Sequence, residues 1–358
     1  MNLVYKPLWP AKTDYAIGIC GAGGIVNDAH LPAYRKAGFR IESIYDVDQS
    51  RAEETAVRFE IPRVCDSLSS LAEGVDIVDV AVPAWENEQV VEELTQVGVA
   101  LLLQKPLAED WQTALRIVER IRVAGLTAAV NQQMRWEPGV RSCRHLLSEG
   151  ALGAAYDVAF HVYVDTPWHL WRWLSKKETI EVLYHSIHYL DSIRYLTGLE
   201  PHRLYCSGSR LPGYAARGET RTCTHLTFAG DLRATVLCNH HVEWDRLGQQ
   251  SEFRIDATDG MAVRQLGLLL NYPKGGPDAF RYITRADGQW RQATFEETWF
   301  PDAFVGPMTS LMRALNGEIV KPETDVEDNL QTLRLVFAAY ESMRTGDAVD
   351  LMGPTWKI

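Results

Sequence analysis

Three groups of residues in this 358-residue sequence have the types and spacing to do chemistry. The first is Gly21-Ala22-Gly23-Gly24-Ile25, directly after the apolar run Tyr15–Cys20. Glycine at 21 permits a tight turn, and glycine at 23 lets a phosphate approach the backbone beside a following helix N-terminus. The third small residue of the dinucleotide fingerprint is replaced by Val26. A second β-type run ends in Asp46, 25 residues after Gly21, about where an acid meets the adenosine ribose hydroxyls. Val47 and Asp48 follow it, so no cation awaits a ribose 2′-phosphate and NAD is favoured over NADP. The second group is Gln104-Lys105-Pro106-Leu107, after the run Val99–Leu103. A lysine at the carboxyl end of a parallel strand points into the crevice where such sheets bind ligands.

The third group lies on a helical stretch, Ile180 to Thr197, closed by Gly198 and Pro201. Leu183, Ile187, Leu190 and Ile193 form its apolar stripe, and Tyr184, His188, Asp191 and Tyr195 a polar stripe beside it. His185 lies near that stripe. An imidazole titrates near neutral pH and can move a proton. His-x-x-His supplies only two metal ligands and shows no convincing carboxylate partner, so no metal is expected. Upstream, Trp168, His169, Trp171, Arg172 and Trp173 offer rings for sugar faces and a guanidinium for a carboxylate or the cofactor; they read equally as a packed aromatic loop or an oligomer contact. At the end of a later strand, Asn239 and His241 share one face and His240 takes the other, with the pocket-lining set left open. Arg172, Trp173 and His241 are the substrate-side candidates.

These groups need elements to hold them. Up to residue 134, short apolar runs at 15–20, 41–45, 75–82, 99–103 and 127–130 alternate with helical patterns at 50–59, 88–97 and 110–124. That alternation predicts a parallel, doubly wound sheet. After residue 135, strand-like segments at 203–209, 222–228, 232–241, 251–257 and 261–270 follow one another without helices, and a late helix covers 326–344. Consecutive strands predict a largely antiparallel, open sheet. The expected organisation is a dinucleotide-binding α/β domain over 1–134 and an α+β domain over 135–358 for substrate binding and oligomerisation.

Lys+Arg number 36 and Asp+Glu 47, a net charge of −11. That balance disfavours nucleic acid or an anionic membrane as partner. No run approaches a membrane span, and the N-terminal residues lack the pattern of a signal peptide. The six cysteines form no CxxC pair and read as buried hydrophobes of a reducing, cytoplasmic protein.

The glycine turn with His30-Leu31-Pro32, the strand ending at Pro83, Lys105-Pro106 and the histidine helix occur in the order seen in the Gfo/Idh/MocA oxidoreductases. The sequence resembles that family over nearly its whole length. The resemblance implies an N-terminal Rossmann domain, an open antiparallel sheet, and a homodimer or homotetramer formed through that sheet. It implies hydride transfer between a nicotinamide cofactor and a secondary alcohol of a sugar, cyclitol or sugar derivative. Pro83, Asn87, Gln104 and Lys105 then join Gly21, Gly23, Gly24, Ile25 and Asp46 as cofactor contacts. His188 is the base for the hydroxyl proton, and Lys105 stabilises the developing alkoxide. The sequence departs from the family pattern in three places: Gln104 for the usual glutamate, Asn87 for a common histidine, and the helix motif, where Tyr184 replaces the aspartate that partners the histidine and Ser186 replaces a glycine. Tyr184 then orients His188, or His185 shares the proton relay. Two alternatives accompany the dehydrogenase reading: redox-assisted glycoside cleavage with NAD recycled, and a catalytically silent NAD-bound sugar sensor.

Overall fold

The apolar runs of the first third line up as one parallel sheet. β1 (Ala16–Cys20), β2 (Arg40–Tyr45), β3 (Arg63–Val64), β4 (Ile77–Val80), β5 (Ala100–Leu103) and β6 (Ala128–Val130) lie in the order β3-β2-β1-β4-β5-β6. β1, β4 and β5 are buried along their full length, as strands covered on both faces must be. Helices Gln49–Phe59 and Trp111–Val123 start where Asp48 and Asp110 accept hydrogen bonds from the backbone N–H groups of Arg51 and Thr113. The structure, a computed structural model, describes residues 2–272 and 274–356.

The compact unit built on this sheet comprises Lys6–Glu137 and Glu297–Gln331. The second stretch falls beyond the 134/135 division read from the sequence. Its helix Val305–Leu315 supplies Val305, Met308, Leu311 and Met312 to the same core as Ile17, Ile77 and Leu102. The backbone N–H of Val130 also donates to the Thr324 carbonyl. Apolar burial therefore recruits a late helix that strand–helix counting assigns elsewhere.

The other unit is chiefly Pro138–Glu296 with the residues from Thr332 onward. Its strands are β7 (Ala155–Tyr163), β8 (Arg203–Ser209), β9 (Arg221–Thr227), β10 (Arg233–Asn239), β11 (Gln250–Ala257), β12 (Gly260–Gln265), β13 (Ala279–Thr284), β14 (Arg291–Ala293) and β15 (Val349–Asp350). They form a nine-stranded sheet, β14-β13-β12-β11-β7-β10-β9-β8-β15. All its pairings are antiparallel except β7 with β10. One face carries alternating buried residues, such as Ala234, Val236 and Cys238 on β10. Helix Ile187–Thr197 packs on that face and is buried with Leu190 and Ile193 fully covered. The opposite face is mixed rather than uniformly apolar: Asp157, His161, Thr235 and Arg254 share it with Ala159 and Leu237. Among the described residues, no helix is long and apolar enough to cross a membrane.

Candidate functional site

In the six-stranded unit, the turn after β1 has the shape its glycines imply. Gly21 has φ +105°, and a Cβ there would lie 2.6 Å from the Ala81 carbonyl oxygen. Any side chain would therefore be strained and would strike backbone. At Gly23 a Cβ would meet nothing within 4 Å, leaving the backbone open to a ligand. Ile25 is half-buried against the core and Val26 is fully buried, so the fingerprint's last position is used for packing. The chain then enters a wide π-type turn, Val26–His30, before helix Leu31–Ala37. Asp46 accepts from the backbone N–H of Ala22 at 2.7 Å and of Asp48 at 2.8 Å. These bonds hold its carboxylate against the turn, and each oxygen keeps a second lone pair.

Lys105 follows β5 and is positioned by a buried polar chain. His30 Nδ1 lies 2.7 Å from Asp79 Oδ2, which also accepts from Tyr34 Oη at 2.8 Å. Gln104 Nε2 is 2.8 Å from His30 Nε2, and Gln104 Oε1 accepts from the Lys105 backbone N–H at 2.7 Å. With the amide oxygen engaged, Gln104 Nε2 donates, so His30 is a neutral imidazole whose Nδ1–H donates to Asp79. On the far side of the lysine, Asn87 Nδ2 donates to the Leu107 carbonyl at 2.9 Å. Gln104 and Asn87 thus act within the protein to fix the Lys105 turn. Pro83 ends the β4 segment, and its carbonyl accepts from the Glu86 N–H. Desolvation pushes the Lys105 ammonium down to about 8 from the usual 10.5, which brings its titration close to neutral pH.

In the other unit, the histidine helix opens with a second π-type turn, Val182–Ser186, before Ile187. Turns of this kind insert a residue and recur at functional sites. Glu219 anchors this end: its carboxylate accepts from the backbone N–H groups of Ile180, Glu181 and Val182 and from Tyr340 Oη. His188 is 5% exposed, on a helix buried at nearly every position. The Tyr184 ring meets Trp173 edge-on, with centroids 5.4 Å apart. Asp191, expected on the polar stripe, is fully buried and accepts from Thr332 Oγ1 at 2.7 Å. Arg172 and Trp173 are exposed on a run of short turns, and Trp168 from the same run stacks obliquely near His240. His241 is buried with Nε2 2.6 Å from Thr220 Oγ1. Burial and the neighbouring His240 lower its basicity.

His185 does have a carboxylate neighbour. Glu181 Oε1 is 3.5 Å from His185 Nδ1 and 4.0 Å from His240 Nε2, and Tyr189 Oη is 3.2 Å from His185 Nε2. Burial would raise the Glu181 carboxyl, but its interactions with His185 and His240 hold it well below the usual carboxylate range. Two signals point to this cluster in the sequence. Glu181 and Tyr189 sit four residues either side of His185, and His240 has the parity of the buried β10 residues Ala234, Val236 and Cys238.

Residues 15–132 match the oxidoreductase family with an NAD-binding Rossmann fold, and residues 140–263 match the GFO/IDH/MocA C-terminal domain. The chain belongs to the Gfo/Idh/MocA oxidoreductase family. It is 29% identical over 339 residues to a D-apiose dehydrogenase of Paraburkholderia graminis, covering 92% of this chain and 88% of that protein. It is 31% identical over 147 residues to inositol 2-dehydrogenase 4 of Saccharopolyspora erythraea, covering 40% of this chain and 44% of that protein. The fold is shared with an Agrobacterium radiobacter oxidoreductase solved with NAD+, L-tartaric acid and magnesium. The TM-score there is 0.82 at 21% identity, over 95% of this chain and 99% of that one.

Proposed function

We propose that this oxidoreductase uses NAD in preference to NADP to oxidise a secondary alcohol of a sugar, cyclitol or sugar derivative, or to reduce the corresponding ketone. The observation that carries the reading is Lys105 at the carboxyl end of β5. Burial lowers its ammonium to about 8 there, on a sheet whose first strand ends in an open glycine turn. The relatives named D-apiose dehydrogenase and inositol 2-dehydrogenase favour a polyhydroxylated substrate.

The backbone of Gly21, Gly23, Gly24 and Ile25 would hold the pyrophosphate, and Asp46 the adenosine ribose. When bound, the dinucleotide supplies the hydride acceptor at its nicotinamide. Lys105 places positive charge where alkoxide character develops on the substrate oxygen. His188 takes the hydroxyl proton, with Tyr184 orienting it. Asp46 disfavours NADP because its carboxylate repels a 2′-phosphate. Arg172, Trp173 and His241 are the substrate-side groups, and the mixed open face of the nine-stranded sheet is where copies of the chain associate, in the cytoplasm.

The test is a screen of pentoses, hexoses, inositols, aldonic acids and glycosides with NAD+ or NADP+, read by absorbance of the reduced cofactor and by product analysis. NADH formation with a polyol, at lower KM for NAD+ than for NADP+, is expected, and Asp46→Ala should narrow the preference. Turnover of a glycoside without net NADH would select redox-assisted cleavage instead. Tight NAD+ binding with no turnover across the panel would overturn the enzyme reading.

A further inference from the structure

We propose that Glu181, His185 and His240 bind one divalent transition-metal ion, with Zn2+ the best match to two imidazoles and a carboxylate. Glu181 Oε1, His185 Nδ1 and His240 Nε2 converge, and the ligand atoms of the three residues all lie within 4.8 Å of one another. The separations from Glu181 Oε1, 3.5 and 4.0 Å, exceed an ordinary N–H···O hydrogen bond. They approach the about 3.3 Å edge of a tetrahedron whose metal–ligand bonds are ~2.0 Å. Small side-chain rotations would close the site.

The surroundings are those of a built ligand set. Glu181 is fully buried and its carboxylate is oriented by hydroxyls: Ser186 Oγ donates to Oε1 and Thr222 Oγ1 to Oε2, each at 2.5 Å. His240 is 5% exposed; its Nδ1 is 2.7 Å from Thr166 Oγ1, and its Nε2 has no hydrogen-bond partner among the described residues and aims at the cluster. Tyr189 Oη stands at the second nitrogen of His185. Metal-ligating imidazoles are held in this manner, with the nitrogen away from the ion engaged by a polar partner. His185 is the member with exposed surface, 21% of its side chain, so the site opens to solvent on its side. Three protein ligands leave a position open. One carboxylate and two neutral imidazoles leave a bound dication with net positive charge. The open position therefore suits a water or a hydroxyl or carboxylate oxygen of a small molecule. This assignment does not depend on which alcohol the enzyme oxidises.

The experiment is competition for Zn2+ between the untagged, chelator-stripped full-length protein and a chromophoric chelator, read as stoichiometry and affinity. One tight Zn2+ per chain is expected. Glu181→Gln and His240→Ala should each weaken it about 100-fold or more, and Thr166→Val about 10-fold. His225→Asn, on the opposite face of β9, should bind as wild type. Thermal melts without metal establish that each variant is folded. Should the ligand variants fail to fold, Co2+ added to the wild type gives the readout. Visible absorption of imidazole-bound cobalt that one equivalent of Zn2+ abolishes supports the site, and its absence overturns it. A wild type with no tight Zn2+, or folded Glu181→Gln and His240→Ala proteins that bind as wild type does, also overturns it.

Discussion

Lys105 combines a backbone locked by Gln104 with an ammonium that titrates near 8. If the charged form stabilises developing alkoxide, kcat/KM carries a falling limb above pH of about 8. Lys105→Arg should move that limb to higher pH, because a guanidinium stays protonated. Lys105→Met and His188→Ala should each lower the rate ~10²–10⁴-fold, whereas Tyr184→Phe should lower it only ~2–13-fold if Tyr184 orients His188 through one neutral hydrogen bond. Pre-steady-state kinetics at saturating NAD+ read these effects. A His188→Ala enzyme within a few-fold of wild type would transfer the base role elsewhere. The lysine also sets a sign for stability. The unfolded chain keeps its proton up to the ordinary 10.5 while the folded chain releases it near 8. Between those values the unfolded state binds more protons, so this residue's contribution to stability rises with pH.

At the scale of elements, two termini are fixed by groups remote in sequence. The turn after β1 closes against Ala81 at the end of β4, which is why residue 21 lacks room for a side chain. Gly21→Ala should cost about 2 kcal/mol or more in strain at positive φ and abolish NAD+ binding; chemical denaturation and fluorescence titration check both. Glu219 caps the π-type turn that presents Glu181 and His185. Glu219→Ala leaves several buried donors without an acceptor, at a cost of about 3 kcal/mol. Hydrogen exchange should show residues 180–186 losing protection before the rest of that helix.

The molecule as a whole is two sheets with different logic. The six-stranded sheet is covered on both faces within its own unit, whereas the nine-stranded sheet has one face covered by helix Ile187–Thr197 and one open. An open face of this breadth is commonly covered by another subunit. Light scattering at micromolar concentration should give a dimer or tetramer, and Leu237→Arg on that face should shift it toward monomer. A wild-type monomer would count against association through the sheet.

Local periodicity by itself determined much of this. β1, β2, β4 and β5 and the helices between them follow from short apolar runs bounded by turns, because a strand buried on both faces has no other pattern. The glycine turn, Lys105-Pro106 and the helix carrying His188 were legible because each is a contiguous motif. What only the tertiary structure decided are relations between distant residues. The helix Val305–Leu315 joins the first unit because its apolar face fits a core made 200 residues earlier, which no local pattern encodes. The missing carboxylate of the helix motif is a further case. Tyr184 stands where an aspartate is usual, yet Glu181 meets His185, and a histidine from the end of β10 completes the cluster. Strand parity limits His240 to one of two faces; only the packing of sheet on helix determines that this face looks toward Glu181.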